Sequence, residues 1–81
     1  MNNLKTALQK YLEDTYKEMT IAKDYESLKM VHDMALGVLL YCFNAGILAD
    51  LERNKLVDEL NTKYGSLWLA LLKEIAHSVQ K

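Results

Sequence analysis

An antiparallel bundle of four α-helices is the fold this sequence predicts, on three observations. The 81 residues include no proline and three glycines, so the residues that interrupt helices and shape tight turns are nearly missing. Apolar residues recur at steps of three and four along most of the chain, the period of one helix face. The stretch Met34-Ala-Leu-Gly-Val-Leu-Leu-Tyr-Cys-Phe43 is free of charged and amide side chains, and such a segment needs neighbours on several sides. The helices are expected over about residues 3–22, 25–45, 50–64 and 66–80, the third being short, in one all-α domain spanning 1–81.

In the first helix Asn3 is placed to cap the free amides of the opening turn. Leu4, Leu8, Tyr11, Leu12, Thr15, Met19 and Ala22 then form one stripe, with Lys5, Gln9, Lys10, Glu13 and Lys17 opposite. Lys23-Asp-Tyr-Glu-Ser27 is the expected turn, Asp24 the N-cap of the second helix, and Gly46 the left-handed residue that closes that helix. Along the second helix a row that begins wet at Lys29 and Asp33 turns apolar at Leu36, Leu40, Phe43 and Ile47. Gly37 lowers helix stability by about 1 kcal/mol against alanine, and the expected reason for it is a close helix crossing in the core. Asp50 is the expected cap of the third helix, which buries Leu56, Val57, Leu60 and Tyr64. Tyr64-Gly65-Ser66 reads as a stop followed by a cap. The fourth helix carries Leu67, Trp68, Leu71, Leu72, Ile75 and Val79 on a broad apolar face, widened by Leu69 and Ala76, with Lys73, Glu74, His77 and Gln80 on a narrow outer arc.

The net charge of −1 comes from acids and bases that alternate along the chain, so no strong field steers a charged ligand. The longest apolar stretch falls short of the roughly 20 residues of a bilayer span and the N-terminal segment is polar, so no membrane association and a cytoplasmic location are expected. Nine of the ten basic residues are lysine, whose codons are A-rich. That bias is compatible with a low-GC bacterium or one of its phages, and suits a phage- or mobile-element-encoded protein.

Chemistry-bearing residues are sparse. Cys42 lies in the apolar run and reads as a buried small hydrophobe. Glu74 and His77 have the i,i+3 spacing of a metal ligand pair, but one pair supplies too few ligands. His32 beside Asp33 reads as a boundary histidine whose ring nitrogens meet backbone or water, the functional alternative being a pH-sensitive contact. No nucleophile, base and orienting group share a helical spacing and no glycine-rich phosphate loop is present. No enzyme activity, cofactor or metal is therefore expected. A helix-turn-helix across Tyr64-Gly65-Ser66 would place Leu-Trp-Leu-Ala-Leu-Leu where base-reading side chains belong, so nucleic acid is disfavoured as a partner.

What stands out is the apolar excess. Leu36, Leu40, Phe43, Ile47, Leu69 and Ala76 lie off the main stripes of their helices and are the candidate interface. The expected function is a non-enzymatic interaction module, an inhibitor or adaptor, that forms a homodimer or binds another protein. The alternative is a bundle that binds a small apolar ligand in a cleft lined by Met30, Met34, Tyr41, Phe43 and Trp68.

Overall fold

The computed structural model describes the backbone of residues 2–79 and the side chains of residues 3–77. Three helices account for the described residues: α1 (Asn2–Ile21), α2 (Tyr25–Asn44) and α3 (Asp50–Val79). They run up, down and up. The chain is all-α, but its helices are three and not four: the expected third and fourth helices are one continuous element of 30 residues.

Gly65 does not stop α3, because the residues on both sides of it are held by α2. The Tyr64 ring stacks on His32, with centroids 4.3 Å apart, and Trp68 packs on Tyr25 at 5.4 Å. Leu60, Tyr64, Leu67 and Leu71 also continue one stripe at steps of four, three and four, and all four pack into the same core. Tertiary packing of that stripe outweighs the helical cost of one glycine, about 1 kcal/mol.

The two connections are short and closed by specific hydrogen bonds. Asp24 has extended backbone, φ −143°, and its Oδ1 accepts from the Ser27 N–H at 2.8 Å, so it caps α2 as the sequence predicts. At the other end Gly46 takes φ +80°. There the Ile47 N–H donates to the Cys42 carbonyl at 2.8 Å and the Gly46 N–H to the Phe43 carbonyl at 3.0 Å. This pair of bonds is a Schellman closure, with glycine at the position that must be left-handed.

Two expected caps lie inside their helices. α1 begins at Asn2, which puts Asn3 inside its first turn. Asp50 is likewise the first helical residue of α3. The capping position is Ala49, whose N–H donates to Glu52 Oε1 at 3.0 Å. A glutamate three residues into the helix thus supplies the reciprocal half of a capping box.

The core is a single cluster. Leu8, Leu12 and Met19 enter it from α1, Leu28, Ala35, Leu39 and Cys42 from α2, Leu48 from the connection, and Leu60 and Leu71 from α3. Met19, Leu28, Leu39 and Leu60 are fully buried. α2 lies between the others and has two packed sides. Gly37 is not at a core crossing: it is exposed, and nothing lies within 4 Å of where its Cβ would stand.

α3 is ten residues longer than either partner. Leu71 is its last buried residue, and every described side chain from Leu72 to His77 is exposed. By the rise of 1.5 Å per residue, about 12 Å of α3 lies beyond Leu71. The molecule is correspondingly elongated, 53 × 19 × 15 Å. The side chain of Val79 and the whole of Gln80 lie outside the described residues.

Candidate functional site

Polar groups converge in one place, the seam between α2 and α3. His32 is a core position on α2, and its flat ring fits against Tyr64. Nδ1 faces Asp33 Oδ1 at 3.0 Å and Nε2 faces Asn61 Oδ1 at 2.7 Å. Its partners are therefore side chains rather than backbone or water. Asp33 also accepts from Lys29 Nζ at 2.7 Å, and the Lys29 ammonium, followed by the His32 contact, holds its carboxyl below the usual range. An ionised Asp33 only accepts, which keeps the proton on Nδ1. Asn61 can then serve either form of the ring, donating to Nε2 through its amide nitrogen or accepting through its oxygen. Each ring nitrogen of His32 thus has a side-chain partner, while Lys29, Asp33 and Asn61 themselves are exposed.

Elsewhere the inventory is structural. Cys42 is buried in the core. Glu74 and His77 are both exposed on the far part of α3. Among the described residues no group of three or more His, Cys, Asp or Glu could hold a metal ion. Among the described residues no helix is long and apolar enough to cross a membrane.

An open groove of about 490 Å³ separates the first half of α1 from the start of α3, floored by Leu8, Leu12, Leu48 and Leu56 and rimmed by Lys5 and Lys55. Three of the floor leucines are already buried, so little apolar surface is left for a ligand to cover. Lys5 is occupied by Glu52 at 2.9 Å.

Exposed apolar side chains occur on all three helices, with Leu4 and Ile21 on α1 and Leu51 at the start of α3, and two groups of them lie on α2 and on the second half of α3. Met30, Met34, Gly37 and Tyr41 recur at steps of four, three and four and so form one stripe on α2, on the side away from both other helices. Met34 is 62% exposed and Tyr41 71%, with Leu40 at the margin. On α3, Leu69, Leu72 and Ile75 are exposed, and Trp68 retains 39% exposure despite its contact with Tyr25.

The six candidate interface residues divide accordingly. Leu40, Leu69 and Ala76 are exposed. Leu36, Phe43 and Ile47 are half-buried against the core, and the Arg53 guanidinium lies over the Phe43 ring, 4.1 Å from its centroid. The five residues of the expected ligand cleft are not brought together. Met30, Met34 and Tyr41 face solvent, Phe43 sits under Arg53, and Trp68 is on another helix against Tyr25. What the sequence reading missed is the outer stripe of α2, although its helical spacing is plain in the residue numbers. No family model matches the chain, and comparison with curated proteins and with solved structures finds no match.

Proposed function

We propose that this chain is a non-enzymatic protein–protein interaction module, working as an inhibitor or adaptor through the outer face of α2. One observation supports it above the rest: Met30, Met34, Leu40 and Tyr41 are large, apolar and exposed together on the helix side that its own bundle leaves uncovered. Contiguous apolar surface on a small protein marks an interaction site more often than a neutral one. Methionine and tyrosine suit the role, since flexible thioethers adapt to a partner and tyrosine adds area with a polar tip. The partner surface that fits is an apolar groove or the apolar face of a helix in another protein.

The test compares the wild-type chain with Met34→Glu and Tyr41→Glu in affinity capture from the native host, with helicity and thermal melting measured alongside. These side chains lie outside the core, so both variants should keep the wild-type fold and lose the partner that the wild-type chain retains. Equal recovery of that partner by wild type and variants would refute the assignment of the face.

A further inference from the structure

We propose, resting on the reading of the α2 stripe as the interaction face, that Met30 and Met34 are an oxidation switch for it: a peroxide converts both thioethers to sulfoxides and turns the stripe polar. Burial divides the sulfur atoms of the chain sharply. Among the described side chains Met19 is 1% exposed and Cys42 9%, both in the core, whereas Met30 is 59% and Met34 62% exposed. An oxidant arriving through water therefore meets two sulfurs and is kept from the other two.

Position along the helix brings the two exposed thioethers together. Residues four apart on a helix have Cβ atoms about 5–6 Å from each other, and a helical side chain leans over the turn before it, which carries Met34 towards Met30. On the other side of Met34 the next residue of the stripe is Gly37, exposed, with nothing within 4 Å of where its Cβ would stand. The stripe thus leaves Met34 unshielded from that direction. Neither methionine belongs to the core cluster, so an oxygen added to either sulfur displaces no packing.

The reaction is a two-electron oxygen transfer. A sulfur lone pair attacks one oxygen of hydrogen peroxide, the O–O bond breaks as the S–O bond forms, and the other oxygen leaves as water with both protons. Sulfur is oxidised, peroxide is reduced, and each methionine consumes one peroxide. The sulfoxide oxygen is a hydrogen-bond acceptor where the thioether was apolar, and covering it with an apolar partner surface that offers no donor is unfavourable. Leucine would match methionine in helix propensity and apolar character, but it has no sulfur to oxidise. The change is also reversible, since methionine sulfoxide reductases return the thioether and release the oxygen as water while a dithiol becomes a disulfide.

Hydrogen peroxide treatment of the full chain tests this, read by peptide mass spectrometry, circular dichroism and retention on a phenyl resin. Met30 and Met34 should each gain one oxygen at least about tenfold faster than Met19, with helicity unchanged and retention shortened. Met30→Leu/Met34→Leu, compared with itself before and after treatment, should show no shift in retention. The host protein recovered by the untreated wild type should bind the oxidised chain at least about tenfold more weakly, and be regained after methionine sulfoxide reductases and a dithiol. Oxidation of Met19 at an equal rate, loss of helicity on oxidation, or unaltered retention each overturns the proposal. Undiminished recovery by the oxidised chain, where untreated Met34→Glu has lost the partner, overturns the switch and leaves the interaction face standing. Undiminished recovery by both overturns the switch and the face together.

Discussion

Truncating Asn61 to alanine removes the side-chain partner of His32 Nε2. Asn61 is itself exposed, so water can take its place, and Asn61→Ala should lower stability to urea by about 0.5–1.5 kcal/mol, the net contribution of one hydrogen bond. His32→Phe tests the complementary case, keeping the stack on Tyr64 while removing both nitrogens. It should cost less than Asn61→Ala, because the ring then has no polar atom that needs a partner. Tyr16 extends the argument to alkaline pH. Its hydroxyl is buried with no hydrogen-bond partner, and burial, followed by the negative charge of Glu59, pushes its pKa up. The unfolded chain therefore gives up this proton first as pH rises past about 10, so the folded state is progressively disfavoured above that pH. Tyr16→Phe should remove part of the alkaline loss seen in melting temperature. On the acid side the signs reverse. Asp24, Asp33 and Glu52 titrate below their ordinary values, held there chiefly by the Ser27 N–H, by Lys29 and by the Ala49 N–H respectively. Their contribution is present above about pH 4 and fades as pH falls through the depressed values.

At the scale of elements the three glycines separate three meanings that one residue type can carry. Gly46 is required by its positive φ, so Gly46→Ala should destabilise by about 1 kcal/mol. Gly37 is in an exposed helix interior with open space around it, and Gly37→Ala should stabilise by about 0.5–1 kcal/mol. Equilibrium denaturation distinguishes the two signs directly. Gly46 and Asp24 were legible in the sequence because a cap is a local device, set by one residue and its next few neighbours. Gly65 carried the same local signature as Gly46, followed by a serine able to cap. What decides between them is not local. The stripe through Leu60, Tyr64, Leu67 and Leu71 keeps its phase across Gly65, whereas the apolar positions of α2 and α3 do not continue each other across Gly46. Phase continuity was in the sequence, but it competes with a glycine signal only once the packing of that stripe against α2 is known. The seam cluster was partly legible: His32 and Asp33 are neighbours, but Asn61 joins them from 29 positions away, and no periodicity within one helix announces that. Leu60, fully buried from α3, is where the packing is least able to relax. Leu60→Ala should cost about 2–5 kcal/mol.

For the whole molecule, the count of helices changes the shape. Four short helices would enclose a squat core, and the apolar excess could disappear into it. Three helices of unequal length leave an elongated body with exposed apolar side chains on all three helices, among them a stripe on α2. That is why Leu36, Phe43 and Ile47, chosen as off-stripe residues of a four-helix arrangement, sit half-buried against the core, and why Met30, Met34 and Tyr41 emerge on the surface instead.

The contact between Trp68 and Tyr25 lies where the supported part of α3 gives way to its overhang, and the chain has a single tryptophan. Its emission is consequently an internal optical gauge of that junction, requiring no attached dye. Separation of α3 from the start of α2 would free the indole from the tyrosine ring and shift its emission to longer wavelength as water reaches it. A neighbour arriving on the exposed edge would shift it the other way, so one spectrum tells opening from covering by the direction in which it moves.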